Sequence, residues 1–241
     1  MKKILVIRGD GKFSELLRGA GFDVTDLELI GTRQVDDLTE LRSKFQQLSD
    51  YDGLFFTSPV AAEIFVRERN RTNGFHGKVY VLGDRAKTVL EHAGLNVVHK
   101  PPANTAQELL ASLKVSEFEN KKFLFVSGNK STRAIPEYLA RYAAVDEVVV
   151  YETFNLPVAY GTIAEVAERL RKHEVDWICF FSPSGVERFV DLFSAIEVLT
   201  ATIGTTTATK ARELGLKVDL VSPRSDAEVF AKSLIGHIKE Q

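Results

Sequence analysis

The chain has 241 residues, 44% hydrophobic and 27% charged, with a formal net charge of -2 and a pI near 6.2. That suffices for one large domain or two small ones, and without a basic stripe it argues against a nucleic-acid binder. No apolar stretch reaches the roughly 18 residues of a membrane span. The apolar run at 4–7, followed by Arg8 and Asp10, is too short for a secretory leader, so a cytoplasmic location is expected.

Short apolar runs alternate with amphipathic stretches along the chain. Residues 4–7 predict a first strand and 13–20 a first helix. Residues 24–30 predict a second strand, and the pattern breaks at GTRQVD, 31–36. Strand–helix pairs follow at 54–56 with 61–69, 79–82 with 86–93, and 96–99 with 106–113. The strand at 123–126 precedes a helix at 136–142, and the strand at 148–151 precedes a second break at NLPVAYGT, 155–162. A helix at 162–173 leads to the last pairs: 177–181 with 185–193, 201–203 with 207–214, and 218–221 with 227–238. Gly21, Gly94 and Gly215 stand where a left-handed residue closes a helix. Most of the runs lack polar alternation and are rich in Val, Ile and Phe, as in strands buried on both faces of a parallel sheet. The alternation predicts an α/β chain with doubly wound sheets, its ten strands dividing into two sheets of five.

The chain also repeats itself. DGLFFTSPVAAEIF at 52–65 and DWICFFSPSGVERF at 176–189 share six of fourteen positions, where unrelated segments share about one. KKILVIRG (2–9) matches KKFLFVSG (121–128), Gly83 and Gly94 match Gly204 and Gly215, and Pro102 matches Pro223. The offset stays between 119 and 124 residues, so this is a duplication of half the chain, not a short solenoid repeat. Two similar halves make a cleft between them, and such clefts hold ligands. The two breaks in the pattern do not fall at the middle of the repeat.

In open α/β sheets ligands bind outside the carboxyl ends of the strands. Small polar loops gather there: Gly9-Asp10-Gly11, Thr57-Ser58, Gly83-Asp84, Ser127-Gly128-Asn129, Ser182-Pro183-Ser184-Gly185 and Gly204-Thr205-Thr206-Thr207. Ser58 and Ser182 each precede proline, a helix cap followed by the residue that needs no amide proton. Helix N–H groups and the positive dipole end suit phosphate or carboxylate. Any one loop reads as an ordinary cap; the set, in two copies, predicts anion binding. Arg8, Lys130 and Arg133 lie at or just after strand ends, within reach of a bound carboxylate. Tyr151 ends the run VVVY, either as a core-edge ring or as a phenol offered to the cleft as an acid. Gly9-Asp10-Gly11 lacks the third glycine of a dinucleotide loop and does not make a phosphate-binding loop. His76, His92, His99, His173 and His237 have no paired metal spacing, so no metal site is expected. Cys179, the single cysteine, sits in WICFF and reads as a small buried hydrophobe.

Several motifs, in their order and spacing, resemble the uroporphyrinogen-III synthase family over essentially the whole chain. They are FTSP (56–59) with Glu63, VLG-x-x-A (81–86), SGN-x-x-x-R-x-x-P (127–136), VVYET (149–153), FFSPSGV (180–186) and IGTTTA (203–208). The resemblance implies two flavodoxin-like domains, each a five-stranded parallel sheet flanked by helices, joined by two connecting segments. Domain 1 would be residues 1–34 plus 154–241, and domain 2 the inserted residues 35–153. It implies cyclisation of hydroxymethylbilane, a linear tetrapyrrole rich in carboxylates, with loss of water and inversion of the terminal pyrrole ring, in heme biosynthesis. It implies no cofactor or metal, and a monomer. Tyr151 matches the family's functional tyrosine, expected to assist departure of the hydroxyl. Thr206 and Thr207 match its threonine pair, and Ser58, Ser182, Ser184 and Gly185 its substrate-contacting turns. Arg8, Gly83, Ser127, Gly128, Asn129, Lys130 and Arg133 complete the expected substrate-binding set. Ala86 stands where many members carry threonine, and Gly9 follows Arg8 where many bacterial members have Arg-Pro. The same features fit a non-catalytic two-domain module for a small anionic ligand; incubation with the bilane separates the two readings.

Overall fold

The computed structural model describes residues 1–69, 74–99, 103 and 105–240; Pro102 lies outside them. The first elements are β1 (Lys3–Ile7), α1 (Lys12–Gly19), β2 (Asp23–Asp26), β3 (Ile30–Gln34), α2 (Thr39–Gln46), β4 (Gly53–Phe56), α3 (Pro59–Glu68), β5 (Lys78–Val81), α4 (Asp84–His92) and β6 (Val97–His99). Then come α5 (Ala106–Ala111), β7 (Lys122–Gly128), α6 (Ala134–Leu139), β8 (Ala144–Asn155) and α7 (Tyr160–Arg171). The chain ends with β9 (Trp177–Phe180), α8 (Pro183–Phe193), β10 (Leu199–Thr202), α9 (Thr205–Glu213), β11 (Leu220–Val221) and α10 (Ala227–Lys239). They form two compact units, Met1–Gly31 with Phe154–Gln241 and Thr32–Thr153.

The first unit holds a sheet in the order β2-β1-β9-β10-β11, parallel throughout. This is the flavodoxin-like order, with its switch point between β1 and β9. The second unit holds β3-β8-β7-β4-β5-β6, parallel from β8 to β6. The duplication explains the likeness. β7 is the copy of β1, β4 pairs with β9 in the repeat, and β5 with β10. Placed on one another, the two sheets have the same strand order, so β7 and β4 flank the second switch point. Each unit therefore joins the front of one sequence copy to the back of the other.

Alternation within the strands explains why both sheet faces are covered. In the first unit Leu5, Ile7, Ile178 and Phe180 enter one apolar cluster, and Ile4, Val6, Trp177 and Cys179 enter another on the opposite face. In the second, Leu54, Phe56, Leu124 and Val126 share a cluster, and Phe55, Phe123 and Phe125 share the other. Adjacent residues thus point to opposite buried faces, as the unbroken apolar runs require. Cys179 is fully buried, and burial pushes its thiol well above the ordinary range. Gly21, Gly94 and Gly215 take φ values of 90°, 76° and 84°, closing α1, α4 and α9. Among the described residues no helix is long and apolar enough to cross a membrane.

One expectation needs correction, and one helix is added. The second sheet has six strands, not five, because the polar break at 31–36 opens as β3. Val35 donates its amide to Val150 (3.1 Å) and Leu156 its amide to Leu29 (2.9 Å), so β3 and β8 run antiparallel. Gly31 admits the partner strand's ring: a Cβ there would lie 2.7 Å from Phe154 Cζ. A search for apolar runs passes over such a strand. It also passes over α2, whose apolar residues are few but periodic: Leu41 and Phe45, with Leu38 just before the helix and Leu48 just after it, are all buried in one cluster, at helical spacing.

Candidate functional site

The sequence-predicted residues fall at the carboxyl ends of the two sheets and beside the two switch points. In the first unit Ile7 pairs with Phe180, and Phe180 with Thr202. Two residues further on lie Gly9, Ser182 and Gly204. In the second, Phe56 pairs with both Val126 and Val81, and two residues further lie Ser58, Gly128 and Gly83. Each sheet therefore carries a serine between two glycines at one level, and Gly204 and Gly83 directly precede α9 and α4. Gly83 needs its lack of a side chain, since its φ is 78°.

Both serines act as caps. Ser182 Oγ accepts from the Gly185 amide at 3.1 Å and Ser58 Oγ from the Val60 amide at 3.2 Å, each followed by proline in the first helical turn. A cap satisfies one of the free helix amides and leaves others for a ligand. Ser184 adds a hydroxyl 3.2 Å from Ser182 Oγ. Gly185 belongs there for reasons of space: a Cβ would sit 3.3 Å from Ser182 Oγ, inside the cap. At α9 the threonines divide. Thr206 is exposed, while Thr207 faces the core at 3% exposure. Its counterpart in the repeat, Ala86, is buried likewise, and the counterpart of Thr206 is Arg85, whose guanidinium pairs with Glu63 at 2.7 Å.

Arg8 lies just past β1, exposed, with its Cζ 4.8 Å from the centroid of the Phe181 ring. That ring is wedged between Phe13 and Phe230, at 4.9 and 5.3 Å. The guanidinium is thus held by an aromatic face and makes no ion pair among the described residues. Phe181 stands outside the sequence-predicted set, although an aromatic directly before Ser-Pro in FFSPSG was a visible signal.

The loop after β7 is differently built. Ser127 is 1% exposed, and its hydroxyl donates to Glu147 Oε1 at 2.9 Å. The other oxygen of Glu147 pairs with Arg133 Nη1 at 3.1 Å. Asn129 accepts the Thr153 amide at 2.9 Å and faces the Thr153 carbonyl at 3.5 Å through its NH2. Lys130 is exposed. Ser127, Asn129 and Arg133 are thus engaged within their own unit. Glu147 had no sequence signal, because only the pairing of β7 with β8 brings it beside Ser127.

Tyr151 is half-buried, its ring packed against the core cluster of β4 and β7. Its phenol makes no hydrogen bond among the described residues. The β7–β8 register shifts between Ser127 and Gly128, so that Gly128 pairs with Tyr151. Among the described residues no group of His, Cys, Asp or Glu is placed to hold a metal ion.

Comparison with known proteins agrees with this architecture. A family model described as uroporphyrinogen-III synthase HemD matches residues 11–232, which take in every candidate residue except Arg8. The uroporphyrinogen-III synthase of Chlorobaculum parvum is 30% identical over 203 residues, 80% of this chain and 82% of that protein. The uroporphyrinogen-III synthase of Schizosaccharomyces pombe is 24% identical over 240 residues, 95% of this chain and 92% of its own. A mutant uroporphyrinogen III synthase from the extremely thermophilic bacterium Thermus thermophilus matches 100% of both chains with a TM-score of 0.71 at 19% identity, a likeness of fold. From the length of the family match and the identity to its relatives, the chain belongs to the uroporphyrinogen-III synthase family.

Proposed function

We propose that the chain cyclises hydroxymethylbilane to uroporphyrinogen III, losing water and inverting the terminal pyrrole ring. The observation that carries this reading is family membership across nearly the whole chain. The serine-capped helix starts in both units support it. A polycarboxylate needs dispersed donors more than a lysine cluster, and helix amides with hydroxyls supply them. In this reading Ser58, Gly83, Ser182, Ser184 and Thr206 receive substrate carboxylates, Gly185 leaves room beside the Ser182 cap, and Arg8 and Lys130 are cationic partners.

The chemistry asks little of any single group. The Tyr151 phenol donates its proton to the hydroxyl leaving the bilane's end, and water departs as the pyrrole nitrogen's electrons stabilise the cation left behind. The substituted carbon of the terminal ring then attacks, giving a spiro intermediate; that carbon's older bond breaks, the freed methylene closes on the ring's unsubstituted carbon, and the proton lost there returns to the phenolate. Holding the bilane so that this closure outruns the simple one is a task of orientation. The same reading takes the chain to act as a monomer in the cytoplasm, without cofactor or metal. The test is incubation with freshly generated hydroxymethylbilane, then oxidation and isomer analysis. Isomer III is expected; isomer I alone, as without protein, overturns the proposal.

A further inference from the structure

We infer that Asn129 and Gly128 are positioning residues that act on the reaction through Tyr151, rather than by touching the substrate. This rests on the acid role proposed for Tyr151.

The inference starts from the strand. Val148 and Val150 are buried in the core cluster, and Val149 between them is 39% exposed. Alternation would send Tyr151 outward with Val149. Instead its ring packs against the same cluster as Val148 and Val150. The cause is the register shift after Ser127, since a bulge re-aims the side chain beside it. Two neighbours then hold the result. Gly128 lies under the ring: a Cβ there would fall 2.6 Å from Tyr151 Cε1 and Cε2. Asn129 fixes the chain directly after Tyr151, its backbone amide donating to the Tyr151 carbonyl at 3.1 Å and its side chain accepting the Thr153 amide at 2.9 Å. The amide side chain stands in for a strand that β7 no longer provides. With its atoms so used, Asn129 is poorly placed to serve a carboxylate.

The test is a double-mutant cycle in the full chain, with kcat and KM measured for Asn129→Ala, Tyr151→Phe and the double variant. Tyr151→Phe is expected to lower kcat about 10²-fold, the lower end for a lost general acid. Asn129→Ala should lower kcat about tenfold or more, as misplacement of a reacting group does, and leave KM within about twofold. In the Tyr151→Phe background the same change should cost less than about twofold, because its route has gone. Asn129→Asp, which can still accept the Thr153 amide, should recover part of the loss. An equal loss in both backgrounds, or a raised KM with kcat intact, overturns the inference and leaves the acid role standing. Unchanged turnover in Tyr151→Phe removes the acid role, and this inference with it. If Asn129→Ala does not fold, Gly128→Ala takes its place in the cycle, with the same expectations and the same overturning result.

Discussion

At the scale of single residues, Ser58 and Ser182 cap the helices that follow the two Ser-Pro strands. Each hydroxyl satisfies a helix amide that would otherwise lack a partner. Replacement of either by alanine should cost about 1 kcal/mol, read as a lower denaturation midpoint with an unchanged slope in urea. Glycines separate into two kinds. A Cβ at Gly77 would lie 2.8 Å from the Asp52 carbonyl carbon, backbone that cannot swing aside. Gly77→Ala should therefore destabilise by about 1–3 kcal/mol. At Gly161, in α7, a Cβ would meet nothing within 4 Å, and alanine there should stabilise by up to about 1 kcal/mol. Equal midpoints for the two variants would sink this distinction. The Ser-Pro caps were legible in the sequence because capping is local. The fate of Ser127 was not, since its partner Glu147 lies across a strand pair, and neither was that of Thr207, since burial is set by what packs on α9.

At the scale of elements, Asp146 fastens the amino-terminal ends of β7 and β8 to the turn before β4. It accepts from the Tyr51 hydroxyl at 2.5 Å and pairs with Lys44 at 3.1 Å and Lys122 at 3.7 Å. The Lys122 ammonium also lies 4.6 Å from the Tyr51 ring centroid. The Tyr51 hydroxyl, with help from Lys44, holds the Asp146 carboxyl below the usual carboxylate range despite partial burial. Burial, then Asp146 itself, pushes the Tyr51 phenol far up. A carboxyl with a depressed folded pKa contributes stability in full above its unfolded value, about 4. That contribution is lost as pH falls through the folded value. The stability gap between the native chain and Asp146→Ala should thus be full at pH 7 and shrink steadily below about pH 4, followed by urea unfolding at each pH. A gap constant across that range would show that packing, not charge, makes the difference. Most strands could be read from sequence because a doubly buried strand is an apolar run. β3 and α2 could not be read this way: the first is a polar edge held by β8, and the second buries only a narrow stripe.

At the scale of the whole molecule, the duplication and the units cut the chain differently. The apolar clusters of the second unit draw only on residues between Val35 and Tyr151. Those of the first need both Ile4–Ile7 and the residues after Leu156. Expressed alone, residues 32–153 should unfold cooperatively in urea with native-like circular dichroism. Residues 154–241 alone should not, because β1, which pairs with both β2 and β9, would be missing. A cooperative transition in the second fragment would overturn this view. The sequence by itself determined most of the element types, the caps at the strand ends, the doubly buried strands and the duplication, all of which can be read from pattern along the chain. It could not choose partners for those strands without the help of family resemblance. KKILVIRG and KKFLFVSG are so alike that either suits either Ser-Pro strand. Only the tertiary structure seats Ile7 beside Phe180 and Val126 beside Phe56, because strand pairing is decided by contacts between residues far apart in the chain, where two copies of one pattern are equivalent.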